Sequence, residues 1–475
     1  MDPQELKPSP GRDAPVYLQI YRRYCEAIAA GKLKPGDRVP SIRSLASELN
    51  LARGTVELAY QLLASEGYFV ARGAAGTVVS PRLARLPERA EANAAVRRVD
   101  AAPRQDAASA EVLPFQLGLP ALDAFPRKTW ARLAGRTLRM LDTAAMTYPD
   151  PAGYEPLRRA VAAYLGISRG IACSHEQVFI TSGYRGALGL ACRTLLQPGD
   201  AGWYEDPGYL FARQYLEQAG MRLAPIPVDA EGLDVGLGIR HAGQARFAVV
   251  TPTHQSPMGM ALSLPRRLEL LEWAKDRQAW IVEDDYDSEF RYHGRPLPAL
   301  KSLDAHGRVL YTGTFSKVLF PGLRLAYLVV PACQVGRFRR TIDHASGPGS
   351  ILPQAMVADF MEQGHFARHL RKMRALYAAR RGYLVDALAQ TMGERLHVQP
   401  QAGGIHVLAH LHTRQDDRAV ARAAAAAGLA VGALGDWRFG TAPPGPSHGA
   451  LLMGFANFAT AAAALAAVRR LEACM

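Results

Sequence analysis

The sequence predicts an α/β chain in two parts, a small helical head closed by a hairpin and a large body built on a mostly parallel sheet. Three observations predict it. Apolar residues recur at helical spacing in three segments of the first eighty residues, followed by two strand-like runs. From residue 114 onward, short apolar runs alternate with helical patterns. Between the two, residues 81–113 hold no aromatic side chain and few large apolar ones, so they cannot form a core and read as a linker. At 475 residues and 49% hydrophobic, the chain can bury a large core in more than one domain.

The head, residues 1–80, begins with Tyr17, Ile20, Tyr21, Tyr24 and Ile28 on one face of a helix. Gly31 and the turn Lys34-Pro35-Gly36 end it. Ser41 is placed to cap a second helix with Ile42, Leu45, Ala46 and Leu49 inward. After the break Asn50-Leu51-Ala52, a third helix turns Val56, Ala59, Tyr60 and Leu63 inward. "GYFVARGAAGTVVS" then predicts a hairpin around Gly73 and Gly76. Helix, tight break, helix and hairpin are the order of a winged helix-turn-helix, whose third helix enters the major groove by its N-terminal end. Arg53, Gly54 and Thr55 would face the groove, with Arg43 on the helix before; arginine suits guanine or phosphate, and a hydroxyl suits either. Net charge alone is a poor guide: the chain carries +13, but residues 1–80 hold 10 Lys+Arg against 8 Asp+Glu. A plain three-helix bundle with surface arginines fits the same pattern.

No apolar run is long enough for a membrane span, and the polar start "MDPQELKPSPGRD" has no signal core, so a cytoplasmic protein without membrane contact is expected. The five cysteines, scattered without metal spacing, suit packing, and no metal site is expected.

In the body the expected strands are "QVFIT", "AGWYE", "FAVVTP", "AWIVED", "RVLYTGTF" and "LAYLVV". Open α/β sheets bind ligands at the carboxyl ends of their strands, so the turn after each strand is where chemistry is expected. "QVFIT" is followed by Ser182-Gly183-Tyr184-Arg185-Gly186 opening a helix, a cradle for an anion or merely a steric glycine turn. "AWIVED" runs into the acids Glu283, Asp284, Asp285, Asp287 and Glu289: a solvated loop, a metal site, or a partner for a cationic ring nitrogen. "RVLYTGTF" is followed by Ser316-Lys317 between Phe315 and Val318, where partial desolvation would lower the lysine pKa, unless the amine simply pairs with an acid. An anion cradle, a ring-nitrogen acid and a nucleophilic lysine are together the parts that pyridoxal 5′-phosphate (PLP) requires.

Longer motifs carry a resemblance. "VPSIRSLASELNLARGTVELAYQLLASEGY" resembles the GntR-type winged helix, with Ala52 where a serine is usual. "YPDPAGYEPLRRAVAAYL", "TSGYRGALGLACRTLLQPGD", "EDPGY", "TPTHQSPMG", "EDDYDSEFRY" and "TGTFSKVLFPGLRLAY" resemble, in order, PLP-dependent transferases of fold type I, the aminotransferase-like fold. The whole chain is thus similar to the MocR/GabR-type transcriptional regulators.

The resemblance implies a Schiff base between Lys317 and PLP, Asp284 on the pyridine nitrogen (Asp285 being the alternative one register away), Tyr286 on the phenolic oxygen and Tyr209 stacked on the ring. Gly183, Tyr184, Arg185, Thr314, Ser316 and Arg324 would gather round the phosphate, Tyr148 would reach the phosphate of a neighbouring subunit, and His254 and Gln255 would face the same pocket. It also implies a homodimer, an operator in double-stranded DNA, and an effector that is PLP itself or an amine or amino acid. Two positions depart from the pattern: Arg185 replaces a usual glutamine, and Leu452 stands where an arginine usually clamps an α-carboxylate, leaving Arg438 as a candidate substitute. The body is therefore expected to act as a sensor with at most a residual half-reaction. The alternative is a working aminotransferase with an appended DNA-binding domain.

Overall fold

The computed structural model describes residues 14–73, 76–81, 112–140, 143, 146–292, 294, 297–344, 349–412, 415–440 and 449–475. Most of the expected linker, 82–111, lies outside the described residues. The chain divides into two compact units, Met1–Ala108 and Ser109–Met475.

In the first unit, helices α1 (Val16–Ala29), α2 (Ile42–Leu49) and α3 (Arg53–Ser65) precede an antiparallel hairpin of β1 (Phe69–Ala71) and β2 (Thr77–Val79). Ser41 caps α2 by accepting from the Ser44 amide at 3.1 Å, and Asn50, at φ 53°, ends it in the left-handed conformation that asparagine tolerates. Tyr24, Tyr60 and Phe69 meet edge to face at 5.1–5.8 Å between ring centroids. The Tyr60 hydroxyl donates to the Pro40 carbonyl at 2.8 Å, tying α3 to the segment before α2. These contacts fix the angle at which α3 presents its first turn.

The second unit is the expected α/β body. Its strands are β3 (Val178–Thr181), β4 (Ala201–Asp206), β5 (Arg222–Asp229), β6 (Gly232–Leu233), β7 (Phe247–Val250), β8 (Trp280–Asp285), β9 (Val309–Thr314) and β10 (Ala326–Val329). Among the described residues they form one eight-stranded sheet in the order β3-β10-β9-β8-β7-β4-β5-β6. Pairing is parallel from β9 through β8, β7 and β4 to β5, whereas β10 runs antiparallel to both β9 and β3. The six strand segments read from the sequence coincide with β3, β4, β7, β8, β9 and β10, whose near-continuous apolar runs are the mark of a sheet covered on both faces. A second, antiparallel sheet orders β11 (Leu396–Val398), β12 (His406–Leu411), β14 (Ala450–Gly454) and β13 (Gly432–Ala433) as β11-β12-β14-β13. Its apolar runs are shorter and less regular, so local pattern does not reveal it. Among the described residues, no helix is long and apolar enough to cross a membrane.

Candidate functional site

The carboxyl ends of β3, β4, β7, β8 and β9 lie along one edge of the large sheet, and the antiparallel β10 brings its amino end to the same edge. Registers Ala326↔Thr181 and Ala326↔Thr314 place Arg324 beside the turns after β3 and β9. Arg324 is itself held at φ 52°, an uncommon conformation for a residue with a side chain. It donates to the Ser182 carbonyl at 3.2 Å. A Cβ on Gly183, which has φ +86°, would come within 3.2 Å of that guanidinium, so glycine is what lets arginine and helix start meet. Gly183 caps the helix Tyr184–Leu195 without a side-chain hydrogen bond, leaving its first amides open to an anion. Arg185 is exposed, with its guanidinium 5.6 Å from the Phe211 ring centroid. Thr314 Oγ1 accepts from the Ser316 amide at 3.1 Å, shaping the turn into the lysine.

Lys317 is half-buried. Burial pushes its pKa down, against the charges of Asp287 and Asp284, which push it up. Its Nζ donates to the carbonyl of Gly118 at 2.8 Å. Gly118 sits at φ +78°, and a Cβ there would stand 2.7 Å from the lysine nitrogen. This glycine lies 199 residues from Lys317, and nothing local in the sequence marks it.

Alternation along β8 turns the two neighbouring aspartates to opposite faces. Asp285 is ion-paired with Arg169 at 2.5 Å and accepts from the Tyr311 hydroxyl at 2.6 Å. Asp284 turns the other way, towards Tyr184, Tyr209 and Lys317. Burial pushes its pKa up to about 8, the nearby Tyr184 hydroxyl pulls it down, and the charges of Asp285, Glu205 and Asp287 add to the rise. The Tyr184 hydroxyl approaches Asp284 without hydrogen-bond geometry and is buried with no partner among the described residues. The acidic run is thus no solvated loop: Glu283, Asp284, Asp285 and Asp287 are all buried.

Tyr209 comes after the turn that ends β4, its ring centroid 6.2 Å from that of Tyr184 and 5.7 Å from that of Trp437. Burial beside Asp284 pushes its hydroxyl up to about 12. His254 Nδ1 lies 3.0 Å from the Tyr286 hydroxyl and 3.1 Å from both Asp287 carboxylate oxygens, while its Nε2 is buried without a partner among the described residues. Gln255 is used differently from expectation. Its amide nitrogen donates to Glu205 at 3.1 Å and to the carbonyls of Pro207 and Ser256, and its oxygen accepts from the Met258 amide. It ties the turns after β4 and β7 together and has no donor left for the pocket. Tyr148 is fully exposed on this chain, apart from the cluster. Leu452 is buried among Leu408, Leu434 and Ala450.

In the head, Arg43, Arg53 and Gly54 are exposed and Thr55 is half-buried at the start of α3. Ala52, where a serine is usual, gives α3 no side-chain cap. Residues that sequence reasoning missed are Gly118, His406 and Arg169, which meet the cluster through long-range packing. Asp285 and Asp287 stood in the acidic run, but their partners Arg169 and His254 lie far off in sequence.

A family model of bacterial regulatory proteins, gntR family, matches residues 16–79, and one of aminotransferase class I and II matches 124–435. The probable rhizopine catabolism regulatory protein MocR of Rhizobium meliloti is 37% identical over 451 residues, covering 93% of this chain and 90% of that one. The chain belongs to the MocR-type regulators of the GntR family. As such, this MocR-type protein is a DNA-binding transcriptional regulator whose body has the class I and II aminotransferase fold. A second MocR-type relative, the HTH-type pyridoxine biosynthesis transcriptional regulator PdxR of Corynebacterium glutamicum, is 33% identical, covering 91% of each chain. The body of the regulator also superimposes on LysN, the α-aminoadipate aminotransferase of Thermus thermophilus, in a structure complexed with N-(5′-phosphopyridoxyl)-L-leucine. The TM-score is 0.68 with 28% identity, over 76% of this chain and 92% of that one.

Proposed function

We propose that this regulator holds PLP at Lys317 and uses the arrival of PLP, or of an amine at the same pocket, to change how its heads engage a promoter. The observation that carries the reading is Lys317 itself: a half-buried amine held by one backbone carbonyl, with Asp284 opposite. The residues present fit the cofactor. The open amides after Gly183, with Arg324 folded against them, suit a phosphate carrying about two negative charges. Asp284, a buried acid without an ion pair among the described residues, suits a cationic ring nitrogen. The orphaned Tyr184 hydroxyl and His254 Nε2 are polar atoms that such a ligand can satisfy. When bound, PLP supplies an aldehyde carbon able to join a primary amine.

The chain's own groups then have distinct tasks. Burial favours the neutral, nucleophilic form of Lys317. Tyr209 would stack on the ring, Tyr184, expected at the phosphate, has its hydroxyl near Asp284 instead, and Tyr286, backed by His254 and Asp287, would offer a hydroxyl to the phenolic oxygen. Arg185, Thr314 and Ser316 line the phosphate side. In the head, Arg43, Arg53, Gly54 and Thr55 would meet bases and phosphates. Tyr148, together with the exposed apolar side chains Leu138, Met140 and Met146, supports a homodimer in which each site is completed by the partner. A cytoplasmic location agrees with a promoter-binding role. Having Leu452 in an apolar cluster favours a sensor over a working aminotransferase, because orienting an α-amino acid needs a carboxylate clamp.

The test is to incubate the protein with PLP, reduce it with borohydride and map the modified peptide, while measuring operator binding with and without PLP. Pyridoxyl on Lys317 and a changed operator affinity are expected. An unmodified Lys317 overturns the proposal.

A further inference from the structure

On the Gly118 side of Lys317 the packing is hydrocarbon. Gly118 accepts from the lysine amine, and its neighbour Leu117 packs against a buried apolar cluster of Leu408, Leu434, Ala450 and Leu452. Met258 and Trp437 pack on the same cluster. Leu408 and Leu452 pair across β12 and β14, and Gly432 of β13 pairs with Leu452 on the other side. A Cβ on Gly432 would stand 2.9 Å from Leu117 and 3.4 Å from the Leu452 Cβ, so the wall is closely packed. Trp437 carries it across to Tyr209, at 5.7 Å between centroids. Leu117, Met258 and Trp437 are half-buried and form its accessible rim.

Three nearby arginines are committed elsewhere. Arg324 holds the turn at Ser182, Arg185 lies over Phe211, and Arg213 lies over Phe439 while donating to the Arg438 carbonyl. His406, at the inner end beside Pro257, is pushed down by burial and so stays neutral. A carboxylate laid against this wall would lose its water and gain none of these three guanidinium groups, whereas an alkyl or aryl group would be favoured there by leaving water.

Building on the PLP reading above, we infer that the pocket recognises a primary amine with an apolar body and no α-carboxylate, and discriminates against ordinary α-amino acids. The probes are matched pairs that differ only by the carboxylate: 3-methylbutylamine against L-leucine, and 2-phenylethylamine against L-phenylalanine. Each is titrated into the PLP-loaded full-length protein and compared as free base, by the visible absorbance of the bound cofactor and by calorimetry. In both pairs the amine is expected to bind at least tenfold more tightly than the amino acid. Equal or tighter binding of the amino acids overturns the inference, as does preference for 5-aminopentanoate, whose distal carboxylate would point to Arg438, or binding of no amine at all. Leu452→Arg is expected to shift the preference towards L-leucine by at least tenfold. If that variant fails to load PLP, Leu117→Arg at the half-buried rim gives the same readout. A wild-type protein that takes up no PLP refutes the cofactor reading itself, an outcome separate from loss of selectivity.

Discussion

Arg169 and Asp285 form an ion pair at 2.5 Å with both side chains almost wholly buried, directly behind the strand residue that faces the lysine. Arg169 also donates to Thr253 Oγ1 at 3.0 Å and to the Leu297 carbonyl at 3.2 Å, so one guanidinium braces the floor beneath β8. The pair distinguishes two adjacent carboxylates, Asp285 bound to a guanidinium and Asp284 with no ion pair among the described residues.

Asp285→Asn and Asp284→Asn should therefore behave as opposites. Removing the Asp285 charge leaves a buried arginine uncompensated, and about 3 kcal/mol of stability should go with it. Asp284→Asn should unfold no more easily than wild type but bind PLP at least tenfold more weakly. Urea unfolding and PLP titration of both variants decide the matter, and equal destabilisation by the two would refute the division.

Stability without PLP should depend on pH in an unusual direction. Burial pushes Asp284 up to about 8 and Glu205, Glu283 and Glu289 up to about 7. Unfolded carboxyls titrate near 4 (about 3.9–4.3), so between about pH 4 and pH 8 these four groups hold more protons in the folded protein than in the unfolded chain, and their contribution to stability falls as pH rises. His369, His406 and His410, pushed down by burial, oppose this fall in the acid part of the window. Carboxyls held low, such as Asp123 by its Arg380 hydrogen bond, act below that window. Thermal melts of the PLP-free protein should give a lower midpoint at pH 8 than at pH 5, with a smaller difference in Asp284→Asn. A midpoint that rises with pH contradicts the burial of these acids.

Gly118→Ala should cost more than its position in a loop suggests. At φ +78° a side chain is strained by about 1–2 kcal/mol, and the added methyl would stand 2.7 Å from the lysine nitrogen, too close for both to stay. Cofactor uptake should drop at least tenfold in equilibrium dialysis while operator binding by the PLP-free protein is kept. Normal uptake would show that Lys317 does not need its carbonyl partner.

Arg53→Ala should weaken operator binding by about 1–3 kcal/mol if it reads a base, with relaxed preference at one position. Arg43→Ala, if it meets phosphate, should weaken binding to all sequences alike and reduce the salt slope by about 1. Fluorescence anisotropy across a salt series separates the two roles. Unchanged affinity in both variants would place the interface elsewhere.

Local patterns in the chain were enough for much of this. Amphipathic spacing, a serine cap at Ser41 and two glycines mark the head, because the apolar face, cap and turn of each element are written in neighbouring residues. Apolar strand runs and the turns after them pointed to the Gly183 turn, the acidic run and Lys317, since a parallel sheet gathers its carboxyl ends at one edge; Asp284 within that run and Arg324 came from the family resemblance. The role of Asp285 and the carbonyl that holds Lys317 depended on side chains brought together from segments as far apart as Gly118 and Lys317. So did the diversion of Gln255 to Glu205 and the apolar wall around Leu452. Such contacts are created by strand register and by packing between the two sheets, and neither quantity is encoded in the immediate neighbours of a residue.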